Sequence, residues 1–200
     1  MDAAQEIHPG LWQGYWPPPG EWLARRGFST LVLCAMEYQP PHVVPPQIAM
    51  MAGMRAANPW PGIEVVYAPN DDDFDNKPSR EIVKRAIKAA RVVAARLAED
   101  RKVLVTCWQG KNRSGLVSAL GLHFHLGISG EEATRIVQTR RTNGLRNPIF
   151  IEMLSRLGKN PDGHLRQAVS AQPPPAKPDF HRVATQWATQ RGLTLPPGVR

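Results

Sequence analysis

The sequence predicts an α/β domain with a mostly parallel central sheet flanked by helices, over residues 1–158 of the 200. Three observations carry this. The runs STLVLCA (29–35), GIEVVYAP (62–69) and KVLVT (102–106) are apolar, β-rich and of strand length. They are continuous rather than alternating, as in strands covered on both faces. Segments of helical period lie between and after them, and such alternation of element types is the mark of a parallel sheet.

In chain order, EIHPGLWQGYW (6–16) reads as a short edge strand or hairpin, punctuated by Gly10 and Gly14. GEWLARRG (20–27) suits a short helix closed by its final glycine, and STLVLCA is the first buried strand. A Pro-rich stretch (40–46) precedes IAMMAGMRA (48–56), a candidate short helix. GIEVVYAP ends in the acidic run NDDDFDN (70–76). In the long helix predicted over 78–100, Ile82, Ala86, Ile87, Ala90, Val93, Ala94 and Leu97 share one face, opposite Arg and Lys. After KVLVT, SGLVSALGLHFHLG (114–127) is a helix closed by Gly127. Ser129 and Glu132 form a capping box for a helix through Arg141, and Asn147-Pro148 opens a last one that Gly158 ends. Residues 159–200 read as a loose Pro-rich basic tail with a helical turn or two in HRVATQWAT.

Two cysteines, Cys34 and Cys107, argue against a disulfide framework and suit a reducing compartment. The N-terminus lacks the basic and apolar regions of a secretory signal, and no apolar run reaches the ~18 residues of a membrane span. A cytoplasmic location is the expectation. The net charge of +8 favours polyanionic partners, although the chain from Gly158 onward carries six Lys/Arg against two Asp, so half of that excess belongs to the tail. Cys34, inside LVLCA, reads as a small buried hydrophobe. His123 and His125 are two apart on a helix and face different ways, which rules them out as an adjacent ligand pair.

The chemistry concentrates in CWQGKNRS (107–114). A strand delivers Cys107, five residues form a tight loop, and a helix begins at about Arg113-Ser114. Backbone N–H groups of such a loop at a helix N-terminus point inward and make a site for a tetrahedral oxyanion. Gly110 permits a conformation that a side chain would obstruct. Arg113 can give two parallel hydrogen bonds to phosphate oxygens. The same positive field favours the thiolate, nucleophilic form of a cysteine. A buried structural cysteine has no reason to be followed by Gly at +3, Arg at +6 and Ser at +7. Gly110-Lys111 does not make a nucleotide P-loop, because Val105 and Asn112 stand where that motif needs Gly and Ser/Thr.

Cys107 through Ser114 resembles the Cys-x5-Arg-Ser/Thr signature of the protein tyrosine phosphatase superfamily, and the chain is most similar to its dual-specificity branch. EIHPGLWQG and WLARRGFSTLVLC resemble the opening of those domains, and RTNGLRNPIFIEML resembles their closing segment, so the likeness spans about residues 6–157 in order. It implies a dual-specificity-phosphatase-like fold and a cysteine-dependent phosphatase that acts on phosphorylated proteins, at phosphotyrosine and also phosphoserine/threonine. The implied nucleophile is Cys107, whose phosphocysteine intermediate water hydrolyses. Trp108, Gln109, Gly110, Lys111, Asn112 and Arg113 would hold the phosphate, and Ser114 would ease departure of the thiolate. No metal or cofactor is required.

The resemblance also implies an aspartate general acid on the loop after a strand. Asp71 fits the order of strand, turn and Asp best, Asp72 follows closely, and Asp75 fits the Asp-to-Cys separation of some relatives better. Thr106 departs from the family pattern, where His precedes the cysteine. Trp108 belongs at the loop rim, against substrate or a neighbouring loop, and Arg140, Arg141 and Arg146 lie at the pocket mouth or on a solvated helix end. Asn112 and the basic charge keep an RNA 5′-phosphatase or triphosphatase open, and Lys111 a phosphoinositide phosphatase. A non-catalytic phosphate-binding module is the reading from another class. The oligomeric state has no signature in the sequence.

Overall fold

Pro9-Gly10 turns the chain between two short strands, β1 (Ala4–His8) and β2 (Leu11–Tyr15), which pair antiparallel in the expected hairpin. The computed structural model describes residues 4–35, 60–73 and 75–159, all within one compact unit of the chain. The Pro-rich stretch over 40–46, the helix expected over 48–56 and the tail from 160 onward lie outside the described residues.

Helix α1 (Gly20–Arg25) leads to β3 (Phe28–Ala35), and β4 (Glu64–Asn70) follows. The long helix α2 (Arg80–Ala98) precedes β5 (Lys102–Cys107), whose last residue is the cysteine of the loop. Helices α3 (Asn112–Leu126), α4 (Gly130–Arg140) and α5 (Pro148–Ser155) complete the described chain. The sheet order is β1-β2-β5-β3-β4. Strands β2, β5, β3 and β4 run parallel to one another, so only the β1 edge is antiparallel. The mostly parallel sheet flanked by helices is therefore present, with β5 at its centre.

Continuous apolar strands occur here because both faces of the sheet are covered. Val32, Cys34, Val103 and Val105 enter the main core with Ala86, Ala90 and Val93 of α2 and Leu116, Val117 and Leu120 of α3. By the two-residue period of a strand, Leu31, Leu33 and Leu104 face the other way, toward the side where α1 buries Leu23. Helix α3 is buried from Asn112 to His123, which explains its lack of a polar stripe. Its small residues allow close helix packing: a Cβ at Gly121 would lie 2.7 Å from Val93 Cγ1 of α2. The helix signals act as read. Ser129 and Glu132 form a reciprocal capping box, and Asn147 Oδ1 accepts the N–H groups of Ile149 and Phe150.

This arrangement puts the carboxyl ends of β2, β5, β3 and β4 on one edge of the sheet. In open α/β sheets that edge, beyond the strand ends, is where ligands bind.

Candidate active site

Cys107 ends β5, and α3 begins five residues later at Asn112, so the loop between them is closed from below by the strand end and from above by a helix N-terminus. Its backbone is held from outside. Gln13, fully buried on β2, donates through Nε2 to the carbonyls of Gly110 and Lys111, both at 3.0 Å. Arg141 donates through Nε to the Gly110 carbonyl and through Nη1 to Gln13 O at 3.2 Å. Leu145 N–H donates to Lys111 O at 3.2 Å. With those carbonyls turned outward, the opposite edges of the same planar peptides, the N–H groups of Lys111 and Asn112, are left to the pocket.

Gly110 has φ of +63°, and a Cβ there would lie 2.5 Å from Gly14 C and 2.6 Å from Tyr15 N. The loop therefore needs glycine twice over, for its left-handed backbone and for its contact with β2.

Inside the loop, Cys107 is buried at 4% exposure and its Sγ lies 3.2 Å from Ser114 Oγ, within hydrogen-bond reach. Arg113 is buried at 5% exposure and lines the same pocket of about 370 Å³. Trp108, Gln109, Lys111 and Asn112 complete the loop side of that pocket, while Asn143 and Arg146 come from the α4–α5 connection. Of the predicted phosphate-holding residues, Gly110 alone is absent from the lining, because it sits beneath against β2.

Four aspartates follow β4, and the structure separates them. Asp72 lines the pocket with Cys107 and Arg113. Its Oδ2 accepts from Asn112 Nδ2 at 3.1 Å and its Oδ1 from Asn147 Nδ2 at 3.0 Å. Asp71, ranked first by the resemblance, is exposed and accepts the N–H of Asp72, turning its carboxylate back on its own chain rather than into the pocket. Asp73 organises the turn instead: its carboxylate accepts from the Asn76 side chain and from the N–H groups of Asp75 and Asn76. The Asn76 amide, then those N–H groups, hold the Asp73 carboxyl below its ordinary value. Asp75 is exposed and does not line the pocket. Of the three candidates, Asp72 alone lines the pocket.

Three positioning residues carried little signal in the sequence. Gln13 was one polar letter in a strand, Asn147 read as a helix cap alone, and Arg141 was grouped with Arg140 and Arg146 at the mouth. Arg141 is instead half-buried behind the loop, where burial pulls its guanidinium below the ordinary value and the nearby Cys107 sulfur acts the other way. A buried amide in an otherwise apolar strand was the available clue to Gln13.

Thr106, standing where the family pattern has His, donates its hydroxyl to Val32 O at 3.2 Å, so it ties β5 to β3. Cys34 is fully buried, as expected of a core residue, and burial pushes its thiol well above the ordinary value, Cys107 adding to this and Arg113 opposing it. His123 is likewise a core residue, with Nδ1 2.6 Å from Ile128 O. Trp108 packs edge-on to Trp16, ring centroids 5.3 Å apart, as in the reading that sets it against a neighbouring loop, and it also lines the pocket. Among the described residues no cluster of His, Cys, Asp and Glu could hold a metal ion, and no helix is long and apolar enough to cross a membrane.

No protein-family model and no curated protein sequence matches the chain. Solved structures do. A mouse protein assigned to the dual specificity phosphatases, in complex with zinc tungstate, is 21% identical with a TM-score of 0.59, over 84% of this chain and 91% of that one. Human DUSP28 is 20% identical with a TM-score of 0.58, over 86% and 97%. PTPMT1 in complex with PI(5)P is 16% identical with a TM-score of 0.60, over 94% and 99%. The fold is that of the dual-specificity phosphatases. Within the dual-specificity-phosphatase fold, the entry hairpin holds the Cys107 loop through Gln13, and Asn147 holds Asp72, although these segments are distant in the chain.

Proposed function

We propose that this protein is a cysteine-dependent phosphatase that hydrolyses phosphomonoesters of proteins, phosphotyrosine foremost. The observation that carries the reading is the convergence of Cys107, Arg113 and Asp72 on one pocket. Cys107 Sγ attacks phosphorus, the S–P bond forms as the ester P–O bond breaks, and Asp72 gives its proton to the leaving oxygen. Arg113 and the loop N–H groups stabilise the charge on the transferring group. A water then attacks the phosphocysteine and returns a proton to Asp72, while the Ser114 hydroxyl, 3.2 Å from Sγ, donates to the departing thiolate.

The exposed aromatic rim favours an aryl ester. Trp108 (38% exposed) and Trp16 (41%) stand edge to face beside Cys107, and Trp16 N–H donates to Cys107 O at 3.0 Å. A phosphotyrosine ring rising from the loop would meet that wall. A second reading keeps the chemistry on a phosphoinositide, supported by the similarity to PTPMT1 in its PI(5)P complex and by Lys111 and Arg146 at the pocket. RNA bearing a 5′-phosphate remains a substrate to include because of the basic charge.

The test is a panel of phosphotyrosine peptide, phosphoserine peptide, PI(5)P and 5′-triphosphorylated RNA, with wild type beside Cys107→Ser. The peptide esters are the expected substrates, and Cys107→Ser should abolish turnover. Wild-type rates in that variant would reject the mechanism. Asp72→Asn should remove the limb of the pH–rate profile that reports the acid, while Asp71→Asn and Asp75→Asn keep it.

A further inference from the structure

Asn112 is the first residue of α3 and is 7% exposed. Its amide uses both ends. Nδ2 donates to Asp72 Oδ2 at 3.1 Å, and Oδ1 accepts the N–H groups of Arg146 at 2.6 Å and Asn147 at 3.0 Å. Asn147, fully buried, donates from its own Nδ2 to Asp72 Oδ1 at 3.0 Å and to Asp73 O at 2.9 Å. One amide of the phosphate loop therefore joins three segments that meet nowhere else in the sequence: the loop, the aspartate turn and the α4–α5 connection.

We infer that the Asn112 side chain, as distinct from its backbone N–H, positions the general acid, setting Asp72 against the leaving oxygen, rather than binding phosphate; this rests on the phosphatase reading above. The reasoning is chemical. Each carboxylate oxygen has two lone-pair positions, so an amide N–H on each leaves room for the acidic proton. The two N–H donors, one on each oxygen, thus fix the direction in which the Asp72 carboxyl points. Only a side chain with both a donor and an acceptor can do this at Asn112. An aspartate there would keep the contacts to Arg146 and Asn147 N–H but lose the donor to Asp72.

A general acid matters most when the leaving oxygen is basic, which separates this role from plain loop integrity. The full chain is assayed for kcat/KM on phenyl phosphate, whose phenoxide leaves poorly, and on difluoromethylumbelliferyl phosphate, whose acidic phenol leaves well. Asn112→Ala should lower the ratio of the first to the second by roughly 10–100-fold, the scale of a misplaced acid. In an Asp72→Asn background the same substitution should move the ratio less than about threefold, since residues that act together are non-additive. Should a melting scan show Asn112→Ala unfolded, Asn112→Asp serves in its place on the same two ratios, because it keeps the acceptor. An unchanged ratio, or a loss that adds fully to that of Asp72→Asn, overturns the inference. A wild-type protein that hydrolyses neither ester overturns instead the phosphatase reading, and the inference with it.

Discussion

Replacing Gly110 by alanine tests how the Cys107 loop is held. The added Cβ would lie 2.5 Å from Gly14 C and 2.6 Å from Tyr15 N, both backbone atoms of β2 that no rotamer change can move, and 2.6 Å from Arg141 Nη2. Relieving this requires a shift of about 1 Å, since ordinary contact begins near 3.4 Å. The backbone at φ +63° adds left-handed strain of roughly 1–2 kcal/mol, and overpacking typically costs about 1–3 kcal/mol. The expected loss is about 2–5 kcal/mol, or roughly 4–20 °C in Tm for a domain of this size. Gly27 is the matched control: its φ is +72° and nothing stands within 4 Å, so Gly27→Ala carries the strain alone and should cost about 1–2 kcal/mol. A displaced loop also loses its amide geometry, so kcat/KM should fall roughly 100-fold in Gly110→Ala. Gly110→Ala with wild-type turnover and a Tm equal to that of Gly27→Ala would refute the account of the loop as braced against β2.

Two further outcomes follow from other parts of the structure. Trp108→Ala removes the ring beside Cys107 and should reduce the preference for phosphotyrosine over phosphoserine peptide about 2–10-fold in kcat/KM, the worth of one aromatic contact; an unchanged preference would remove the aromatic rim from the argument. Glu64 accepts from Arg96 Nε at 2.7 Å and Nη2 at 3.0 Å, and the Arg96 hydrogen bonds, against the opposing effect of burial, hold its carboxyl below the ordinary 4.5. A depressed carboxyl gives stability that is present above its unfolded value and lost as pH falls through the folded one. Glu64→Gln should therefore lower Tm at pH 7 by the equivalent of roughly 0.5–1 kcal/mol, reduced by the partial exposure of the pair, and the gap should be narrower at pH 3. A gap of equal size at both pH values would mean that the ion pair is not its source.

The site was legible wherever chemistry and spacing coincide in a short segment. Cys107, Arg113 and Ser114 share one loop and one helix start, so the spacing of eight letters suffices to place them together. The parallel sheet was legible because buried strands must be apolar throughout, and two helix starts because Ser129 and Asn147 each cap a helix of their own. The choice among the aspartates was not. Asp71 and Asp72 are neighbours of equal chemistry, and what separates them is the direction in which each carboxylate leaves the turn.

That direction is a tertiary matter. Asp72 is held by amides 40 and 75 residues away, and the loop carbonyls by Gln13, 97 and 98 residues away. The sequence alone determined that Cys107, Arg113 and Ser114 share one strand-to-helix loop, and the α/β order, since these depend on local periodicity and on neighbours in the chain. Only the tertiary structure decided which aspartate faces Cys107, that Arg141 braces the loop from behind, and that Asn112 faces Asp72. A side chain's partner across three segments depends on how the strands and helices are stacked, and no spacing along the chain records that.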